Sequence, residues 1–182
     1  RDQAIGTIPT PTAIDSQTEF LGWYTELLNG VEVDSTSHPS SDKTLYAMWL
    51  IHEETMFVDG ETFNVKLKTL AGYQNVTVET ENTSIEHIRK ANSLSAKFEP
   101  TANNIVSTEY SVEEIYAWYD NGTIYYYSEA DTLYTNQDAS SMFIDLLNVD
   151  VIEGIENWNT IYTTNMSNMF NYTGNEASSF NI

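Results

Sequence analysis

Apolar and polar positions change period several times along the chain, and each change marks an element. Phe20-Leu21-Gly22-Trp23-Tyr24 reads as a short aromatic strand. Leu45-Tyr46-Ala47-Met48-Trp49 reads as a second, with Leu45, Ala47 and Trp49 on one face and Tyr46 and Met48 on the other. Between them Leu28-Asn29-Gly30-Val31 carries an Asn-Gly signal for a hairpin or tight bend, and residues 35–42 are a polar loop. Ile8-Pro9-Thr10-Pro11-Thr12 must be extended, because a residue before proline is pushed out of the α region. Phe63, Leu67 and Leu70 recur at helical spacing and Gly72 suits a C-terminal cap, which predicts one short helix. Val76, Val78 and Thr80 alternate with polar residues and predict a strand, while residues 85–91 fit a helical turn or a short strand equally. Residues 93–107 read mostly as loop. The strongest local signal is a β-hairpin: Ile115 to Tyr119, the turn Asp120-Asn121-Gly122, then Thr123 to Tyr127. Tyr125 and Tyr127 fall on one face of its second strand and Tyr126 on the other. Leu133-Tyr134 adds one more short strand.

From residue 136 a longer period takes over. Ser141-Met142-Phe143 returns as Asn168-Met169-Phe170, an offset of 27 residues (168 − 141). Between the two copies Leu146, Val149, Ile152, Ile155 and Trp158 follow at steps of about three. A fixed period of 20 to 30 residues with small apolar steps predicts a solenoid of leucine-rich-repeat type. Its core would hold Met142, Phe143, Leu146, Ile152, Ile155, Trp158, Met166, Met169 and Phe170. Three portions result: residues 1–50, 51–135 and 136–182. The fold class expected is α+β, mainly β, with a β-rich cap and one short helix leading into the first repeats.

Composition narrows the function classes. Of 182 residues, 27 are acidic and 7 basic, a formal net charge of −20 at pH 7. Nucleic acid and anionic membrane surfaces are therefore excluded as partners. No apolar run approaches the length of a membrane-spanning helix. Apolar residues make up 41% and aromatics 13%, enough to build a core. Cysteine is absent, which removes disulfides, thiolate metal sites and cysteine nucleophiles. The 22 Thr, 17 Asn and 16 Ser suit strands and turns.

Two family resemblances follow from particular residues. Ile8-Pro9-Thr10-Pro11, Phe20-Leu21-Gly22-Trp23-Tyr24-Thr25-Glu26, Gly30, Val33 and Thr44-Leu45-Tyr46-Ala47-Met48-Trp49 together resemble the Listeria–Bacteroides repeat, the internalin B-type repeat. That resemblance implies a β-grasp-like module on bacterial surface proteins, here without the family's opening strand and Asn-Gly-Gly turn. Ile115 to Ala130, Ser140-Ser141-Met142-Phe143, Trp158-Asn159-Thr160 and Thr164-Asn165-Met166-Ser167-Asn168-Met169-Phe170 resemble the BspA-like leucine-rich-repeat surface proteins. Ile161-Tyr162-Thr163 stands where that family's compact turn would sit, so the first repeat is irregular. This resemblance implies a secreted or wall-anchored, extracellular protein with a role in adhesion and no enzymatic activity, while the cysteine-free, acidic, aromatic-rich composition fits a Gram-positive surface. The chain then reads as a slice of a longer protein.

Residues that could carry chemistry are few. His52-Glu53-Glu54-Thr55-Met56 opens like a zinc-protease helix, but Met56 stands where the second histidine is needed. His38 and His87 are isolated from each other. The acidic pairs Glu113-Glu114, Glu129 with Asp131, and Glu153 with Glu156 are read as solvated surface charge, because spacing alone selects no glycosidase pair among 27 acids. Oxygen ligands for calcium abound, yet no D-x-D-x-D-G loop occurs, and Asp120-Asn121-Gly122 is explained as a turn. No phosphate-cradling glycine loop and no nucleophile elbow is present. Five Asn-x-Ser/Thr sequons occur, as expected by chance in a chain so rich in these residues. The expectation is a non-catalytic surface module without cofactor or metal, spacing and capping a repeat array that binds proteins on host or neighbouring cells. Its open repeat ends would favour self-association. The alternative is a carbohydrate-binding module using Trp118, Tyr119 and Tyr126 as ligand-contact aromatics.

Overall fold

The computed structural model describes residues 4–12, 18–38, 41–51, 54–94 and 98–182. The chain forms two compact units, Arg1–His52 and Glu53–Ile182. It is mainly β, with one α-helix and several small sheets. Among the described residues no helix is long and apolar enough to cross a membrane.

The first unit is a three-stranded antiparallel sheet in the order β2-β1-β3, from β1 (Thr18–Tyr24), β2 (Glu32–Val33) and β3 (Tyr46–Ile51). The β1–β2 turn bends at Asn29, whose φ of 57° is the left-handed conformation that asparagine tolerates. Pairing of β1 with β3 shifts register between Phe20 and Gly22. The extra residue, Leu21, is exposed, and the bulge turns Phe20 and Trp23 to the same side although they are three apart. Their rings meet edge-on at 5.8 Å, and Phe20 meets Trp49 at 5.4 Å. The proline-rich stretch is irregular, and the Pro9 carbonyl accepts the indole N–H of Trp23 at 2.8 Å.

The second unit starts with β4 (Thr55–Met56) and α1 (Gly60–Leu70). Asp59 caps the helix by accepting the Thr62 amide at 2.9 Å, and Gly72 follows it at φ 91°. Phe63, Asn64, Leu67 and Lys68 line its buried face. The strand expected around Val76–Thr80 is absent. Thr77 and Thr80 bond each other instead, Thr77 N to Thr80 Oγ1 at 3.0 Å and Thr80 N to Thr77 O at 3.1 Å. This local side-chain closure outcompetes an extended ladder.

Residues 87–90 resolve as strand β5 (His87–Lys90). It lies between β7 (Thr123–Tyr127) and β9 (Val151–Ile152), parallel to both, and β6 (Tyr116–Asp120) completes the order β6-β7-β5-β9. The hairpin turn has Asn121 at φ 43° and Gly122 at φ 83°, the positive pair that a two-residue connection requires. β8 (Leu133–Tyr134) pairs in parallel with β4. One hydrophobic core unites Phe57, Phe63, Leu67, Ile88 and Tyr126 with Phe143, Leu146, Ile152 and Trp158. The sequence reading separates residues 51–135 from 136–182; from Phe57 onward the two portions share one core within the unit Glu53–Ile182.

Candidate functional site

Two surfaces of the second unit stand out. The first is the outer face of the β6–β7 hairpin. Alternation along β6 and β7 sends Ala117, Ile124 and Tyr126 inward, all at most 1% exposed. Tyr116, Trp118, Tyr125 and Tyr127 are left on the opposite face, each half-buried. Tyr116 pairs across the strands with Tyr127, and Trp118 with Tyr125. The Trp118 and Tyr125 rings lie 5.6 Å apart with only 21° between their planes. Phe98 borders them, 5.2 Å from Trp118 and 5.9 Å from Tyr116. The Tyr116 and Tyr127 hydroxyls donate to Glu114 and Glu129, and those bonds to carboxylates raise both phenol pKa values.

Of the three aromatics expected to touch a ligand, only Trp118 lies on this face. The Tyr126 hydroxyl donates to the Glu153 carbonyl at 2.9 Å and accepts the Trp158 indole N–H at 3.3 Å; burial pushes its pKa up to about 12. Tyr119 packs against the core and donates to the Ser84 carbonyl at 3.1 Å. Tyr125 was the partner to find. A two-residue turn at Asn121-Gly122 pairs positions whose numbers sum to 243, as Asp120 with Thr123 does, and that places Trp118 opposite Tyr125.

The second surface is a backbone edge. Residues 133–153 run parallel to two other passes of chain. Towards the first pass, Phe57 N donates to Tyr134 O, Gly60 N to Asp138 O and Asn82 N to Asp145 O, at 2.8 to 2.9 Å. Buried asparagines add side-chain ties: Asn64 Nδ2 to Ile144 O at 2.9 Å and Asn136 Nδ2 to Phe57 O at 3.1 Å. Towards the third pass, Ala139, Ser141, Phe143 and Asp145 donate their amides to the carbonyls of Asn165, Ser167, Met169 and Asn171, at 2.9 to 3.0 Å. The backbone repeats the 27-residue offset: φ is 58° at Ser141 and 56° at Asn168, 57° at Asp145 and 56° at Tyr172. Adding 27 to the four donors gives Met166, Asn168, Phe170 and Tyr172. Among the described residues, none of their amides has an acceptor. The first pass, by contrast, is covered: Val58 N donates to Val106 O and Thr108 N to Met56 O, each at 2.9 Å.

Met142, Phe143, Leu146, Ile152, Trp158 and Met169 are all at most 7% exposed, and Ile155 and Phe170 pack against them. Phe143 and Phe170 stack at 5.4 Å, one repeat apart. Met166 differs from expectation in being 45% exposed. It stands where Ala139 stands one pass earlier (166 − 27), and no described pass covers it.

The remaining candidates are dispersed. Arg89 pairs with Glu153 at 3.3 Å, and His87 Nδ1 lies 2.5 Å from Asp150 Oδ1. Glu113, Glu114, Glu129, Asp131 and Glu156 are exposed. His38 lines an open groove of about 620 Å³ in the first unit, beside Ile5, Val31, Asp42 and Lys43. His52 and Glu53 lie outside the described residues. Among the described residues no three of His, Cys, Asp and Glu gather as a metal site would require. The chain matches no protein-family model, no curated protein and no solved structure.

Proposed function

We propose that the chain is a non-catalytic module of a bacterial surface protein, a capped start for a stack of 27-residue repeats that displays binding surfaces outside the cell. The observation that carries this reading is the set of unpaired amides at Met166, Asn168, Phe170 and Tyr172, one repeat beyond the four that join the second pass to the third. One end of the stack is closed by residues 105–108 and the other offers a ladder to a further pass. An array built this way propagates by nearest-neighbour contacts and needs a closed end for solubility. The charge of −20 keeps such a module solvated and away from anionic polymers. Partners are proteins or glycans of host or neighbouring cells, and nucleic acid is not among them.

The test is to extend the chain after Ile182 with a second copy of residues 156–182 and follow amide exchange by NMR. Slowed exchange at those four amides and a higher unfolding midpoint are expected. Unchanged exchange there would refute the repeat reading. Antibody labelling of intact cells that make the protein tests the location.

A further inference from the structure

We propose that the first unit carries a docking surface for a proline-rich segment of another protein in the polyproline conformation, and that the chain's own residues 8–11 occupy it in cis. The bound segment is the first reason. Pro9 and Pro11 have φ fixed by their rings, and Ile8 and Thr10, each before a proline, are held in the extended region. All four residues are thus confined to a polyproline rod before any contact forms. Such a rod has three residues per turn, so Ile8 and Pro11 share one edge. Those two are half-buried, whereas Thr7, Pro9, Thr10 and Thr12 are exposed. The carbonyls of a polyproline rod have no internal partner, and that of Pro9 accepts the Trp23 indole N–H at 2.8 Å. Just upstream, Ile5 N donates to Ser37 O at 3.1 Å and Gly6 N to Ser35 O at 3.3 Å.

The receiving surface is the second reason. Trp23 adjoins Phe20, which in turn meets Trp49, and an aromatic surface with an indole donor suits a polyproline ligand. All three rings are only half-buried, and no residue described in 4–12, 18–38 or 41–50 is fully buried. The arm therefore rests on the unit without being locked into a core, and its release costs little buried area. What the surface recognises is an edge repeating every third residue and a free carbonyl, which any Pro-x-Pro tract offers. Ile8 to Thr12 carry no charge, and the net charge of −20 disfavours acidic tracts, so the partner segment is uncharged or basic. The tethered arm competes at an effective concentration of about millimolar, which favours partners that present the pattern many times over. The proposal uses only the first unit, so it stands or falls separately from the repeat ladder.

The test uses the full chain, isotope-labelled for NMR, and a spin-labelled peptide of sequence Ile-Pro-Thr-Pro-Thr. In the unaltered protein, excess peptide should broaden the Trp23 indole N–H resonance and leave that of Trp158, in the second unit, sharp. A control peptide with alanine at both proline positions should bind about threefold or more weakly. Pro9→Ala/Pro11→Ala loosens the arm, and the first peptide should bind this variant about threefold or more tightly than it binds the unaltered chain. No broadening at Trp23, or equal binding of the two peptides, would overturn the proposal, and both readings come from the unaltered protein whether or not the variant folds. Equal affinity of the peptide for the unaltered chain and the variant would overturn the cis competition. A dimer that forms in concentrated unaltered protein and is lost in the variant would assign the surface to a second copy and overturn the proposal as well.

Discussion

Lys68 offers the sharpest quantitative test of the second unit. Its side chain on α1 is fully buried, and its Nζ donates to the Val78 carbonyl at 2.7 Å. Burial lowers its pKa from 10.5 to about 8, with the Asp145 charge opposing part of the fall. At about 1.4 kcal/mol for each tenfold change, that fall amounts to a penalty of about 3 kcal/mol on the charged form. The sign follows from linkage. Between about pH 8 and 10.5 the unfolded chain holds this proton more tightly than the folded one, so stability rises with pH through that window. Below pH 8 the penalty is fully present; above 10.5 it is gone. Lys68→Met removes the titration and leaves the Val78 carbonyl without its donor, which costs about 1–3 kcal/mol. At neutral pH the two effects oppose, and the variant should lie within about 2 kcal/mol of the wild type. By pH 10 the wild type should have gained on the variant by about 2–3 kcal/mol. Urea unfolding at pH 7, 8, 9 and 10 measures this difference, and every other titrating group cancels in it. A Trp23→Phe/Trp49→Phe background confines the fluorescence signal to the second unit, the home of Trp118 and Trp158. Parallel stability curves for the two proteins across this range would refute the argument.

Three further outcomes are expected. Gly154 sits at φ 87°, and a Cβ there would fall on the Tyr126 hydroxyl, so Gly154→Ala should lower stability by at least about 2 kcal/mol in urea titration. Tyr126→Phe should recover part of that loss, since it removes the clashing oxygen. Met169→Ala should cost about 2–4 kcal/mol and Met166→Ala less than about 0.5, because Met169 is 7% exposed and Met166 45%; equal costs would contradict the stacking order. The Asp138 carboxylate accepts the Ser140 hydroxyl at 2.5 Å and its amide at 2.9 Å, and these bonds hold its pKa below 3.8. Its contribution is present above the ordinary carboxylate range and is lost as pH falls through the lowered value. Acid titration of Asp138→Asn against wild type should therefore show their stability difference closing below about pH 3.8.

Local chemistry alone determined the elements whose signals lie within a few residues. The hairpin at residues 116–127 follows from its Asn121-Gly122 turn and aromatic flanks, and α1 from the spacing of Phe63, Leu67 and Leu70. The 27-residue offset was visible in Met142-Phe143 and Met169-Phe170 and returns in the backbone angles. Tertiary structure decided the rest. Whether residues 87–90 are strand or helix depended on two parallel neighbours, Thr123–Tyr126 and Val151–Ile152, which are 30 or more positions away in the chain. Alternation at Val76–Thr80 looked like a strand, yet no partner arrives and the threonines bond each other. Which face of the hairpin would be covered could not be read from period two, since both faces carry tyrosine. Packing of Tyr126 against Phe57 and Trp158 settled it and left Trp118 beside Tyr125. Periodicity specifies that a face exists; only the distant segment laid against it determines which face is core and which is surface.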